Sequence, residues 1–336
     1  MQYYITLFPS ESTRTSSGVA LGENILGIPK YIYVPANDFL RHCIVVGTTG
    51  SGKTTTASIV ASQLSNYGAV IIVDWYGEYG KLLSNAEVVI PNSSIPIPVP
   101  GGVDDIVSIF EEVLELSPAQ SYILQRVIET YKPRTLAELV DYIETYPTEA
   151  KWVIEAKHAL LRRISMLVSK EKIFSIDNYR LFRLLRPKRP LIIDISYIRN
   201  IVLKRLAALA LLKAVEVVKS YNKIGNRVFI VIEESHNVIS LGKSLIPRML
   251  SEVRKLGVGI ILVTQSPTVL GHAVIMNCNV RIVHSLKSRD DIELISRSVG
   301  LPRELAEVVP RLGVGVAVVD SPSLMSPELV RVRYIK

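Results

Sequence analysis

The stretch Gly47-Thr48-Thr49-Gly50-Ser51-Gly52-Lys53-Thr54 fits the pattern G-x-x-x-x-G-K-[ST], a glycine-rich turn that ends in a lysine and a hydroxyl. The apolar run "CIVV" leads into it and a helical pattern leaves it, which is the context this pattern requires. Gly50 and Gly52 let the backbone curl so that successive N–H groups point inward at phosphate oxygens. Lys53 is placed to reach β- and γ-phosphates, Thr54 to hold Mg²⁺ through its hydroxyl, and the following helix to add its positive end. The cradle therefore comprises Gly47, Thr48, Thr49, Gly50, Ser51, Gly52, Lys53, Thr54 and Thr55, and the expected ligand is a nucleoside triphosphate with Mg²⁺. A second stretch, "RVFIVIEESHN", carries an apolar strand pattern into Glu233 and Glu234. The first carboxylate can orient a water on Mg²⁺, and the second can polarise an attacking water. Alone, the pair reads equally well as the acidic start of a helix, but beside a phosphate loop the catalytic reading wins. Gln265 ends "LVTQ", where a polar group can sense a γ-phosphate. Asp74 ends "AVIIVD", where it can face a ligand or cap the next turn.

These residues need elements to hold them. Apolar, β-rich runs recur at 43–47, 69–75, 190–196, 228–234, 258–265, 280–286, 315–321 and 329–335. The first five are nearly continuous rather than alternating, so both their faces should be covered, and helical patterns lie between many of them. The expectation is an α/β fold with a mainly parallel sheet and crossover helices. From about 103 to 180 the pattern is helical instead. Ser117-Pro118-Ala119-Gln120 and Thr135-Leu136-Ala137-Glu138 read as helix starts with capping boxes. The expected division is a short N-terminal segment over 1–40, a nucleotide-binding core over 41–102 and 181–336, and an all-helical insertion over 103–180.

Composition narrows the remaining classes. The 336 residues are 48% hydrophobic and 21% charged, with a formal charge of +8, which suits a globular protein with a polyanionic partner. Cys43 and Cys278, the only cysteines, make neither a disulfide framework nor a metal site. The first residues do not form a signal peptide, and the longest apolar tracts are broken by lysine, so the expectation is a cytoplasmic protein with no membrane span.

Four segments, "VVGTTGSGKTTT", "VDWYGEYG", "VIEESHN" and "SEVRKLGVGIILVTQSP", resemble in order and form those of the HerA/FtsK superfamily of ATPases, and the HerA branch most of all. The resemblance runs from roughly 30 to 336. It implies a RecA-like motor that forms a hexameric ring and uses ATP to pump double-stranded DNA through a central channel. It also implies roles by motif: Lys53 and Thr54 for triphosphate and Mg²⁺, Glu233 for the metal, Glu234 as base and Gln265 as γ-phosphate sensor. Arg41 matches an arginine that this branch places near nucleotide, and Arg254 is a second candidate, able to act across a subunit boundary. HerA proteins carry an N-terminal β-barrel that helps dock the nuclease NurA. Fewer than fifty residues precede the phosphate loop here, so the expectation is a strand or two and no barrel, which leaves a NurA-like nuclease a possible partner that the resemblance alone does not support.

No sequence-reading DNA motif is present, so contact is expected through phosphates, with Lys243, Arg248, Lys287 and Arg289 near the nucleotide site as candidates. Two other readings stand beside the DNA motor. One is a motor of conjugation, secretion or viral packaging, and the other is a P-loop protein remodeller that does not touch DNA.

Overall fold

All eight apolar runs form strands of one sheet in a computed structural model of the protein. The structure describes residues 18–26, 30–147, 149–167, 173–221, 224–239 and 245–333. The chain begins with β1 (Val19–Asn24), β2 (Tyr31–Val34), α1 (Ala36–Phe39), β3 (Cys43–Val46), α2 (Lys53–Leu64), β4 (Ala69–Asp74), α3 (Tyr79–Leu82), β5 (Glu87–Val89) and β6 (Ile97–Val99). Four helices follow, α4 (Val103–Leu114), α5 (Pro118–Tyr131), α6 (Leu136–Thr145) and α7 (Lys151–Ile164). Then come β7 (Phe174–Ile176), β8 (Leu191–Asp194), α8 (Ile201–Ser220), β9 (Val228–Ile232), α9 (Leu245–Lys255) and β10 (Val258–Thr264). The last part holds α10 (Pro267–Leu270), α11 (His272–Asn277), β11 (Val280–Val283), α12 (Arg289–Val299), α13 (Arg303–Val308), β12 (Val316–Asp320) and β13 (Glu328–Val332).

The sheet runs in the order β2-β1-β13-β12-β11-β3-β10-β9-β4-β8-β5. From β11 to β5 every pairing is parallel, and from β11 outward through β12, β13, β1 and β2 every pairing is antiparallel. The buried, uninterrupted apolar strands lie in the parallel part. Cys43 and Val45 face one core, with Ala57, Val60, Ala61 and Leu64 of α2. Ile44 and Val46 face the other, with the helices α4 to α9. Each strand therefore covers both faces, as its continuous hydrophobicity requires.

Two features depart from the pattern read in the sequence. The segment around β1 and β2 does not stand apart, because β1 pairs with β13 and so joins the first described residues to the last strand of the main sheet. Between 103 and 180 the chain is not wholly helical, since β7 pairs in parallel with β6 as a two-stranded sheet. A three-residue strand gives too short a run for periodicity to detect. The helix starts did follow their local signals: α5 begins with a complete Ser117–Gln120 capping box, and the Thr135 side chain accepts the Glu138 N–H (3.1 Å) at the start of α6.

Candidate nucleotide and active site

The neighbouring strands β3, β10, β9 and β4 bring their C-terminal ends side by side, and each end carries one piece of the site. In a parallel sheet with crossover helices this edge is where ligands bind. The phosphate loop leaves β3. Within it Gly52 has φ 106°, and a Cβ there would stand 3.2 Å from the Gly315 nitrogen. At Gly47 a Cβ would meet the His284 Cβ and the Ser51 hydroxyl at 2.6 Å. Glycine at these positions lets the loop curl tightly and lie close against the chain behind it.

That backing is specific. Gly315 N–H donates to the Ser51 carbonyl (3.0 Å), and Thr48 N–H donates to that of Ser285 (2.7 Å). His284, fully buried at the end of β11, bonds the Val316 carbonyl through Nδ1 (3.1 Å) and the Thr56 hydroxyl through Nε2 (2.9 Å). Burial lowers its pKa to about 4, so it is neutral at physiological pH, with Nδ1 protonated. Nothing in "VRIVHSL" marked this histidine as a support of the loop, because the contact joins residues far apart in sequence.

Lys53 is buried, and its ammonium donates to the Thr48 carbonyl of its own loop (2.9 Å). Burial lowers its pKa, and the carboxylates of Glu234, Glu233 and Glu78 oppose that shift. Thr54 lies one residue on, and its hydroxyl donates to Glu233 Oε1 (3.4 Å). Glu233 follows β9 and is 2% exposed, and its other oxygen accepts the Trp75 N–H (3.2 Å). Burial, with Asp74 and Glu78 nearby, raises its pKa well above the usual carboxylate range. A divalent cation beside the Thr54 hydroxyl would supply the positive charge that this buried carboxylate calls for, so Thr54 and Glu233 fit a Mg²⁺ site.

Glu234 has the left-handed conformation (φ 49°), uncommon for a side chain of this kind. It turns away from the line of the strand and meets Gln265, whose Nε2 donates to Glu234 Oε2 (3.2 Å). Gln265 Oε1 accepts in turn from the Thr49 hydroxyl (2.8 Å). A continuous chain thus joins the phosphate loop, the glutamine and the glutamate. His236 Nδ1 lies 3.2 Å from Glu234 Oε2 and 3.2 Å from the Thr264 hydroxyl, closing the network on β10. The geometry makes His236 a partner of Glu234.

Asp74 takes the plainer of its two readings. Oδ1 accepts from the backbone N–H groups of Tyr76, Gly77 and Glu78, and Oδ2 accepts from Tyr79, so it caps the turn after β4. Arg41 and Arg254 do not join the site. Arg41 precedes β3 and Arg254 ends α9 just before β10, so both are exposed at the N-terminal edge of the sheet. They flank His42, which bonds the Leu250 carbonyl through Nε2 (2.7 Å) and accepts the Ile260 N–H (3.0 Å). Of the basic candidates for DNA, Lys243 lies outside the described residues, Arg248 pairs with Glu252 (3.5 Å), Lys287 bonds the Pro310 carbonyl, and Arg289 is exposed at the start of α12.

The sequence profile of the family described as "Helicase HerA, central domain" matches residues 19–215, more than half of the chain. Over 96% of its length the chain is 24% identical to the DNA double-strand break repair helicase HerA of Sulfurisphaera tokodaii, of which it covers 70%. In three dimensions it is similar to VirB4 of Thermoanaerobacter pseudethanolicus, with a TM-score of 0.71, 15% identity, and coverage of 95% of this chain and 97% of that one. It is also similar to the plasmid coupling protein TrwB in complex with ADP and Mg²⁺, with a TM-score of 0.65, 14% identity, and coverage of 91% and 88%. At such identities these two likenesses establish the RecA-like fold of the core.

Proposed function

The chain belongs to the HerA helicase family, and from that premise we propose that it is an ATP-driven motor that moves double-stranded DNA through a ring of identical subunits, six in the form the family resemblance implies. The observation that carries the proposal is the chain Thr49–Gln265–Glu234, which links the phosphate loop to a carboxylate placed to act on water.

The N–H groups of the loop from Gly47 to Thr55 bind the triphosphate, and Lys53 exchanges the Thr48 carbonyl for phosphate oxygens. Thr54 and Glu233 would hold Mg²⁺, which when bound would supply positive charge beside the phosphates. Glu234 accepts a proton from the attacking water. Gln265 touches Glu234 on one side and the phosphate loop on the other, so it is placed to register whether a γ-phosphate is present. His236 holds the Glu234 carboxylate in place.

Arg41 and Arg254 lie on the opposite edge from this chain's own nucleotide site. In a head-to-tail ring that edge meets a neighbour's nucleotide, which suits an arginine acting in trans. DNA is gripped through its phosphates by lysines and arginines, consistent with the +8 charge. Repair of DNA double-strand breaks is the role suggested by the name of the Sulfurisphaera relative.

The test is ATP hydrolysis with and without linear duplex DNA, at low and high salt, for the wild type and for Glu234→Gln. Hydrolysis should rise with DNA, lose that stimulation as salt rises, and drop by about a hundredfold or more in the variant, which still binds ATP. Hydrolysis indifferent to DNA would overturn the DNA motor and leave a motor fed by a partner, or a remodeller of protein.

A further inference from the structure

The helix α8 reaches the active site through two consecutive side chains. Its start is fixed by Asn200, whose side chain accepts the N–H groups of Val202 (2.8 Å) and Leu203 (3.3 Å). Just beyond this cap, Lys204 donates from Nζ to the Trp75 carbonyl (2.8 Å), in the turn that follows β4. The same ammonium lies over the Trp75 ring, 5.1 Å from its centroid, and 5.8 Å from that of Tyr76. The Trp75 N–H donates to Glu233. The next residue, Arg205, donates from Nε to the Asn237 carbonyl (2.5 Å), in the turn that follows Glu234. One short piece of α8 thus holds both turns at the catalytic edge.

Lys204 is only 8% exposed. A buried ammonium is costly unless its donors are used, and here they are used on the segment that holds Glu233. We propose that Lys204 is a positioning residue for ATP hydrolysis: it fixes Trp75 so that the Trp75 N–H aims the Glu233 carboxylate at Thr54. The proposal rests on Glu233 and Thr54 serving Mg²⁺. Lys204 touches neither nucleotide nor metal. Its effect falls on the orientation of a metal-binding carboxylate, where loss of an outer partner typically costs about tenfold or more in metal affinity or activity.

The experiment uses the full chain with Trp152→Phe, which leaves Trp75 as the only tryptophan. Two readouts are taken: the Mg²⁺ concentration that half-activates ATP hydrolysis, and Trp75 emission as Mg²⁺ is added to the ADP-bound protein. With Lys204 intact, Mg²⁺ should change Trp75 emission, because its N–H bonds the carboxylate that receives the ion. Lys204→Met should raise the half-activating Mg²⁺ about tenfold, leave the KM for ATP at saturating Mg²⁺ within about twofold, and remove the emission change. Lys204→Arg should restore most of both. If Lys204→Met shows the wild-type Mg²⁺ dependence, the positioning role is overturned and the motor reading stands. A Trp75 emission indifferent to Mg²⁺ in the Lys204 protein also overturns it, even should Lys204→Met fail to fold. If the Lys204 protein hydrolyses ATP without regard to Mg²⁺, the metal reading of Glu233 falls and this inference falls with it.

Discussion

Glu233 and Glu234 show how one chemical group is turned to two uses by its surroundings. Glu233 continues the strand into a buried site against Thr54 and Trp75, whereas Glu234 takes a left-handed turn that brings it to Gln265 and His236. Two buried histidines outside the carboxylate network, His42 at the far edge of the sheet and His284 behind the phosphate loop, set a pH limit on the fold. Burial lowers the pKa of His42 and of His284 from 6.5 to about 4. The unfolded chain takes up these protons near 6.5, the folded chain only near 4, so in that window the unfolded state binds more protons. Stability should therefore fall as pH falls from about 6.5 to about 4, with no further loss from these groups below that. His42→Asn suits the test, since asparagine tolerates the left-handed backbone at this position (φ 61°). Thermal unfolding against pH should give a shallower acid decline in the variant than in the wild type. At this scale the motif residues were legible in the sequence, because the turn and the strand ends are local. The supports were not. His284 and Lys204 sit in an ordinary strand and an ordinary helix, and they acquire duties only through contacts with distant segments.

Among the elements, α5 offers a clean measure of what local signals contribute. Ser117 Oγ accepts the Gln120 N–H while Gln120 Oε1 accepts that of Ser117 (2.9 Å), with Pro118 at the first helical position. Ser117→Ala should lower stability by about 1 kcal/mol, read as a shift of the denaturant midpoint, with ATP hydrolysis at saturating substrate unchanged. A loss of hydrolysis would mean that α5 communicates with the site and does more than pack. The strand β7 shows the opposite case. Its pairing with β6, on the far side of the four helices, is what forms it, and no window of local sequence holds that information.

The whole molecule has a polarity that matters for assembly. Carboxylates, phosphate loop and Gln265 crowd one edge of the parallel sheet, while Arg41 and Arg254 stand on the other. If one subunit completes its neighbour's site, Arg41→Ala and Glu234→Gln should each be inactive alone. Mixed in equal amounts under assembling conditions, they should regain activity, because some junctions then combine an intact Arg41 with an intact Glu234. Steady-state phosphate release across mixing ratios would show a maximum at intermediate composition. Activity that never exceeds that of the separate variants would remove Arg41 from the trans role, and Arg254→Ala in the same mixture tests the second candidate.

By itself the sequence determined the phosphate loop, the acidic strand end, eight strands of the main sheet and the helix starts at Ser117 and Thr135. Each depends on backbone freedom, side-chain period or capping within a few residues, and such signals survive without a fold. The tertiary structure decided which strand ends became neighbours. Parallel pairing joins segments far apart in the chain, and nothing local to β3, β10, β9 or β4 states their order. That order put Gln265 between the phosphate loop and Glu234, left Asp74 to cap a turn, sent both arginines to the far edge, and brought Lys204 of α8 against Trp75.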